Sequence, residues 1–346
     1  MLYKNAVIRG STMEREEIIL RRLSAQHLLD KADTQTVVKD LCGLQAQFLS
    51  HALHGLSIRC DAVQTEGLVK SWTNRGTMHL FSADDLPLFL HEGRSHFLRP
   101  VDMLSDDAYM NADRKAYFAD VILHGIAEGI DRRDDLKVLC EARGMTESEA
   151  KSAFDPWGGL IRALCESGNI CHKVQEQKAF MLCPPFEPMD ESGAHLELLQ
   201  RYFTHFGPAT VKDAAYFFGM TQAQVKSYLR QLPVSTAMLN GKLFYYIDAG
   251  IHDRNLPECL FLAGFDQFLL GYEKRESLVL PQEHLREIYN LAGIVRPAVL
   301  VNGQVAGWWN LKNRKLKINL FSPADRQMIA DTASRQWIDL KNITFE

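Results

Sequence analysis

The sequence predicts an α+β protein that is mainly helical, with three tandem units of one plan and a C-terminal antiparallel β/α region. Three observations predict it. Two short helices followed by a β-hairpin are indicated between residues 207 and 248, two weaker copies of this plan precede them, and alternating segments after residue 296 indicate a meander. A chain of 346 residues is long enough for two to four compact units.

The first unit is predicted over residues 1–100. Helices are expected at residues 24–30, 34–43 and 66–72, and the segment 76–81 is expected to be extended. The second unit is predicted over residues 101–190. Thr146 is placed to open a helix over residues 145–154, a second helix covers 158–167, and a hairpin follows at 170–175 and 178–183.

The third unit, residues 191–257, carries the strongest local signals. After a helix over residues 195–205, Thr210 is placed to cap a helix that ends before Gly219. Thr221 and Gln224 have the spacing of a capping box, and Asn240-Gly241 is a typical two-residue hairpin turn. Two short helices with a glycine-containing turn, followed by a hairpin, predict a winged helix.

The last region, residues 258–346, is predicted to be mixed α/β. Strands are expected at residues 296–301, 304–310 and 315–320, with Asn302-Gly303 as the first turn. A final helix is expected with Ser322 as its N-cap and Pro323 at its first position.

Composition narrows the classes of protein. No stretch approaches the about 18 apolar residues of a transmembrane helix, and residues 1–10 lack the pattern of a signal peptide. We therefore expect a cytoplasmic protein of bacterial type, associated with the nucleoid and without a membrane partner. The net charge of −4 permits nucleic-acid binding only if basic residues are grouped on one face.

The cysteines do not indicate a metal centre. There are seven, with no C-x-x-C pair, and the spacing of Cys165, Cys171, His172 and Cys183 fits no common zinc pattern. The sequence therefore predicts buried thiols, no metal and no cofactor.

Gln45 and Gln47 are the candidate catalytic residues. They stand two apart at the end of an apolar helical run. A carboxylate can act as a base, whereas a glutamine amide can only hold and orient a water, so such a pair suits a reaction whose leaving group is already good. Residues two apart diverge in a helix but share a face in an extended segment, and Gly43 favours such a break. The alternative is that both amides lie on a helix surface or cap nearby backbone.

Further polar residues are candidates for binding. Arg75, Thr77 and His79 alternate along the predicted extended segment and would share a face suited to phosphate or sugar. The alternative is a strand edge that faces solvent. His51 and His54 follow the Gln pair and could line the same site, or could simply be packed.

Four cations belong to the third unit. Lys212, Lys226 and Arg230 lie on its two short helices, and Lys242 follows the predicted wing turn. They could contact the DNA backbone and make affinity fall with salt. The alternative is a solvated helix face.

Several segments together resemble a known family. They are residues 23–29, Gly43-Leu44-Gln45-Ala46-Gln47, residues 75–80, residues 207–210, residues 264–266 and residues 307–312. The chain resembles, over nearly its whole length, the winged-helix DNA glycosylases of the AlkZ/YcaQ type, in the branch with a Gln-x-Gln signature. The resemblance implies three tandem winged helices in a curved body that embraces double-stranded DNA. It also implies hydrolysis of the N-glycosidic bond of alkylated bases, with the Gln pair at the catalytic centre.

The chemistry of an N7-alkylated purine agrees with a neutral pair, because that base is cationic before cleavage and leaves neutral. No lysine lies beside the signature to form a Schiff base, so we expect a monofunctional enzyme, acting as a monomer. Two alternatives stay open. One is a winged-helix transcription regulator, which would dimerise on paired half-sites. The other is a protein-binding module with little affinity for DNA.

Overall fold

A computed structural model of the protein describes residues 11–73, 76–92, 110–155, 159–250 and 255–346. The chain forms two compact units. Unit 1 comprises Met1–Leu44, His51–Gln64 and Leu198–Glu346, and unit 2 comprises Gln45–Ser50 and Thr65–Glu197. The chain enters unit 2 immediately before the Gln pair. The four boundaries predicted from the sequence remain a prediction.

In chain order, the helices of the described residues are α1 (Arg15–Ala25), α2 (Thr34–Asp40), α3 (Leu49–Ser57), α4 (Leu86–Phe89), α5 (Ala112–Ala127), α6 (Arg133–Ala142), α7 (Glu147–Ala153), α8 (Gly159–Glu166), α9 (Glu191–His205), α10 (Val211–Phe218), α11 (Gln222–Leu229), α12 (Gln267–Leu270), α13 (Leu285–Ile288) and α14 (Arg326–Gln336). Within these ranges, no helix has the length and apolar character needed to cross a bilayer.

The strands of the same residues are β1 (Ser11–Thr12), β2 (Leu44–Gln45), β3 (Leu68–Trp72), β4 (Met78–Ser82), β5 (Ile170–His172), β6 (Phe180–Leu182), β7 (Ser235–Leu239), β8 (Lys242–Tyr246), β9 (Cys259–Phe261), β10 (Ala298–Val301), β11 (Gln304–Lys312), β12 (Lys315–Leu320) and β13 (Asn342–Phe345). Mixed helix and sheet is the class that the sequence predicted, whereas the division into three winged-helix units remains a prediction.

Unit 1 contains two sheets. The smaller has the order β1–β7–β8, and the larger has the order β13–β12–β11–β10–β9. Strands β10, β11 and β12 form the antiparallel meander that the sequence predicted. Strand β9 adds antiparallel to β10, and β13 adds in parallel to β12. Leu262, Phe268 and Leu300 belong to one buried core, while Trp309 and Ile318 belong to a second.

The predicted helix-turn-helix and hairpin are confirmed in unit 1. Thr210 caps α10 in a capping box, and α10 ends at Gly219, whose φ of 72° is easily adopted by glycine. Thr221 and Gln224 form the second capping box. Strands β7 and β8 pair across Asn240-Gly241, both with positive φ, as a type I′ turn requires.

Unit 2 holds the other sheet, in the order β2–β4–β3–β5–β6. The predicted helix after Thr146 and the predicted hairpin at residues 170–183 are confirmed as α7 and as the β5–β6 pair. Phe118, Ile161 and Phe180 lie in the core that α5 and α8 form with this hairpin. This core therefore packs against β5 and β6, and the Gln-bearing β2 lies at the opposite edge of the sheet.

The helix predicted over residues 24–30 is wrong. The helix in this region is α1, which buries Ile18, Ile19 and Leu23 and ends at Ala25. His27 then adopts φ 59°, and the Leu28 amide donates to the Leu23 carbonyl at 3.0 Å, which closes the helix. The start predicted for the next helix is confirmed, although α2 ends at Asp40 and not at residue 43.

The helix predicted over residues 66–72 is also wrong, since β3 occupies this segment. It pairs with β4 from Leu68 opposite Ser82 to Trp72 opposite Met78. A β-strand is stabilised by cross-strand neighbours, and the local sequence carries no record of them. The extended segment predicted next to it is confirmed as β4.

The last helix begins later than predicted. Asp325, not Ser322, is its N-cap, and the Asp325 carboxylate accepts from the Met328 amide at 3.0 Å. Ser322 and Asp325 are both residue types that favour an N-cap, and they lie three residues apart. The helix is capped by the Asp325 carboxylate.

Candidate active site

A helix end places the Gln pair. Cys42 and Gly43 follow α2 with φ values of 52° and 77°, and the Gly43 amide donates to the Val38 carbonyl at 2.8 Å. This closes the helix, and the chain continues as the extended β2. The break that the sequence predicted at Gly43 is therefore confirmed, and the alternative of a helix surface for both glutamines is excluded.

A backbone hydrogen bond fixes the centre of the pair. The Ala46 amide donates to the Met78 carbonyl at 2.8 Å, and the Ala46 side chain is fully buried. Gln45 is 8% exposed and Gln47 is exposed. Among the described residues, neither side-chain amide hydrogen bonds to another protein group. The fold thus anchors the backbone and does not use the two amides.

Strand β4 supports this segment from the next position in the sheet. His79 is 1% exposed, and its Nδ1 lies 2.8 Å from Thr73 Oγ1 and 3.1 Å from the Thr77 carbonyl oxygen. Thr77 is half-buried, so Thr77 and His79 differ in exposure and do not form the open face expected of them. Arg75 lies outside the described residues. Contact of these three residues with DNA remains a prediction.

His51 and His54 lie on α3 in unit 1. The His51 ring packs so closely on Gly264 that a β-carbon at that position would approach it to 2.8 Å. The ring also lies 6.0 Å from the Phe265 ring, and burial lowers the pKa of His51.

His54 occupies an aromatic cluster, with its ring centre 5.1 Å from that of Trp309 and 5.7 Å from that of Trp337. Burial lowers the pKa of His54 to about 4, although the nearby Asp266 opposes this shift. A neutral, packed imidazole favours the packing alternative for this residue. Its role in binding remains a prediction.

The cations of the helix-turn-helix divide into two kinds. Lys212 and Lys242 share one partner, Glu276, whose two oxygens lie 2.6 and 3.0 Å from the two ammonium groups. This ion pair raises the pKa of Lys212. Lys226 and Arg230 on and after α11 are exposed. Sequence reasoning missed this role of Glu276, because Glu276 lies 64 residues from Lys212.

One polar cluster was missed by sequence reasoning. His27, Asp40 and His205 lie in unit 1 with their nitrogen and oxygen atoms within 4.8 Å of one another. They are far apart in the sequence and form no spaced motif. The one signal for this cluster is that His27 lies in residues 23–29, a segment that carries the family resemblance.

Comparison with known proteins places these features in a family. The sequence profile described as "DNA glycosylase AlkZ-like" matches residues 38–336. A curated relative from Streptomyces sahachiroi, an interstrand DNA cross-link repair glycosylase, is 24% identical and aligns over 84% of this chain and 85% of its own.

The fold agrees as well. The solved structure of the Streptomyces sahachiroi DNA glycosylase AlkZ superposes with a TM-score of 0.79, at 20% identity, over 97% of this chain and 100% of that one. The match to the family profile covers most of the chain, including the Gln pair. This chain therefore belongs to the AlkZ-like family of DNA glycosylases.

Proposed function

We propose that this protein is a monofunctional DNA glycosylase that removes alkylated bases, in particular cationic N7-alkylpurines, from double-stranded DNA. Gln45 and Gln47 hold the water that attacks the sugar. The observation that carries the proposal is the combination of a backbone pinned at Ala46 with two side-chain amides that the fold does not use. The protein acts as a monomer on DNA in the bacterial cytoplasm.

The charge of the leaving group explains why neutral amides suffice. Cleavage of the N-glycosidic bond builds positive charge on the deoxyribose, and a water must reach the anomeric carbon. An N7-alkylpurine already carries a positive charge and leaves as a neutral base, so the reaction needs no acid. Carbonyl oxygens of Gln45 and Gln47 orient the water and face the developing cation with the negative ends of their dipoles.

Because the two amides differ in burial, we assign them different roles. Gln45 is nearly buried and is held by its strand, while Gln47 is exposed beyond Ala46. We assign Gln45 to positioning of the water and Gln47 to the approach of the sugar. The substrate class extends to cross-linked bases attached through a cationic ring nitrogen, since the curated relative is named as a cross-link repair glycosylase.

A base-release assay tests this function. The protein is incubated with duplex DNA that contains 7-methylguanine, and free base is measured under single turnover. Gln45→Ala and Gln47→Ala are each expected to lower the rate by about 10²-fold, the usual scale for loss of a positioned catalytic group. Gln64→Ala, at an exposed glutamine outside the signature, is the control and should keep the wild-type rate.

Two further readings complete the experiment. DNA affinity should be unchanged in both signature variants, because the two amides act on the water and on the charge that develops on the sugar during cleavage, and not on the phosphate backbone that supplies most of the affinity. The abasic strand should stay intact until it is treated with alkali, as a monofunctional enzyme requires. Release of no alkylated base, together with tight binding to one undamaged sequence, would instead establish a regulator.

A further inference from the structure

Three helices end at the same place in unit 1. Ala25, Asp40 and His205 are the last residues of α1, α2 and α9. His27 follows the end of α1, and its Nε2 lies 2.7 Å from Asp40 Oδ2. His205 Nε2 lies 3.3 Å from the other oxygen of the same carboxylate. All three side chains are about one-fifth exposed, at 18%, 22% and 17%.

The hydrogen bond of His205 determines which nitrogen carries its proton. Nδ1 lies 3.0 Å from the Ala25 carbonyl oxygen, which can only accept, so Nδ1 bears the hydrogen. In the neutral ring Nε2 then presents a lone pair to the Asp40 carboxylate at 3.3 Å. Two acceptors that face each other repel unless a cation lies between them. A metal-binding histidine usually donates the hydrogen of its other ring nitrogen to a carbonyl or carboxylate oxygen, as His205 does.

The backbone at His27 gives independent support. His27 has φ 59°, in the left-handed region, at the position after a helix end that normally holds glycine. A side chain here strains the backbone, although histidine tolerates the region better than most residues. The strain must be compensated by contacts of the imidazole, whose Nε2 lies 2.7 Å from Asp40 Oδ2 and whose ring centre lies 6.1 Å from that of His205.

The negative charge around the cluster is only partly offset by Arg201, whose Nη1 donates to the Lys39 carbonyl at 3.4 Å. The carboxyl end of a helix carries partial negative charge, and three such ends meet here beside the Asp40 carboxylate. A cation at the centre would be attracted by the three helix ends and by the carboxylate.

We propose that His27, Asp40 and His205 bind one divalent first-row transition-metal ion that fastens the three helix ends together. Two imidazoles and a carboxylate are suitable ligands for such ions. Tetrahedral ligands at about 2.0 Å from a metal are separated by about 3.3 Å. The Asp40–His205 separation of 3.3 Å already has this value, and all the ligand atoms lie within 4.8 Å of one another. Partial exposure leaves one position for water.

Co²⁺ and Zn²⁺ serve as probes, with the full-length chain freed of metal by chelation. Tetrahedral Co²⁺ absorbs visible light, so a titration reports both stoichiometry and geometry. One Co²⁺ per chain should produce the visible band, and one Zn²⁺ should abolish it. Zn²⁺ should also raise the Tm of the wild type, because a ligand that binds only the folded state stabilises it.

Two variants keep the test independent of folding. Asp40→Asn preserves size, and His27→Gly relieves the backbone strain, so the metal-free His27→Gly protein should melt no lower than the wild type. Each should bind Co²⁺ at least tenfold more weakly and lose the Zn²⁺ effect on Tm. The matched control is His284→Ala, since His284 pairs with a single carboxylate, Glu287, at 2.8 Å.

Stoichiometric binding that is lost in both variants and kept in the control establishes the site. Failure of the wild type to bind one ion per chain would overturn the proposal, and so would equal affinity in the wild type and the two variants. Base release is not the readout, so this test stands apart from the proposed function.

Discussion

Arg59 and Asp266 form an ion pair that is fully buried in the core of unit 1. Two nitrogen–oxygen contacts of 2.7 and 2.9 Å join them. The guanidinium also donates to the carbonyls of Gln26 and Gly55, and the carboxylate accepts from the Phe268 amide that opens α12. Four of the five guanidinium N–H groups and both carboxylate oxygens are therefore hydrogen-bonded, which is the condition for a buried pair to be tolerated.

Removal of one partner should be costly at this site. Asp266→Ala leaves a buried guanidinium without its counter-charge, and we expect a loss of about 3–5 kcal/mol in the free energy of unfolding. Urea denaturation measures it. Asp61→Ala is the control, because the Asp61 side chain is 92% exposed and its pair with Lys31 is long, at 3.7 Å. A loss below about 1 kcal/mol for Asp266→Ala would show that the site relaxes around the charge.

The environment of a single residue could be predicted from the sequence only where the residues that determine it are close in the chain. The break before Gln45 was predictable because Gly43 lies two residues away. The environment of His54 was not, since Trp309 and Trp337 lie more than 250 residues further along the chain. The cluster of His27, Asp40 and His205 was not predicted for the same reason, since His205 lies far from the other two in the sequence.

At the scale of elements, α5 and α7 of unit 2 are joined by one carboxylate. Glu149, third in α7, accepts from the Thr146 amide to complete the capping box and pairs with Arg114 of α5, its Oε2 lying 2.7 Å from the guanidinium. These bonds, the Arg114 contact foremost, lower the pKa of Glu149 to about 2.

Acid should therefore weaken this junction. A carboxyl whose folded pKa is about 2 and whose ordinary pKa is 4.5 contributes stability that is complete above pH 4.5. Glu149→Gln keeps a capping side chain but removes the charge, so the difference between wild type and variant should be constant near neutral pH. More than half of it should be lost by about pH 3.

Denaturant melts from pH 3 to 7 measure the difference, with Glu147→Gln, an exposed residue of the same helical turn, as the control. A difference independent of pH would mean that the pairing of charges with Arg114 contributes nothing.

The elements also differ in how far the sequence could predict them. Capping boxes at Thr146, Thr210 and Thr221 were predictable because both partners lie within one helical turn. The sequence of β3 predicts a helix, because the strand is stabilised by its pairing with β4 and β5 and not by a pattern in its own residues. The parallel pairing of β13 with β12 was not predicted, because no local sequence pattern indicates it.

At the scale of the whole molecule, a net charge of −4 must be reconciled with a DNA substrate. Lys212 and Lys242 are partly neutralised by Glu276, so DNA gains little from them unless that pair opens. Lys226 and Arg230 carry no such cost, and we propose that they are the phosphate contacts of this helix-turn-helix.

Salt dependence tests this assignment. Each phosphate contact contributes about 0.9 to the slope of log K against log salt. Lys226→Ala and Arg230→Ala should each lower the slope by about that amount, whereas Lys137→Ala, which removes a lysine paired with Glu141, should leave it unchanged. Fluorescence anisotropy with a short duplex provides the measurement. Unchanged slopes in both variants would place the DNA contact elsewhere.

In the proposed mechanism, two neutral amides suffice because the base is already cationic. The most direct measurement compares base release, under single turnover, from duplexes containing 7-methylguanine or 7-methyl-7-deazaguanine. The second base has a carbon in place of N7 and is neutral, with almost the same shape. We predict release of 7-methylguanine alone, dependent on Gln45 and Gln47. Equal release of both bases, or full activity in Gln45→Ala and Gln47→Ala, would contradict the account.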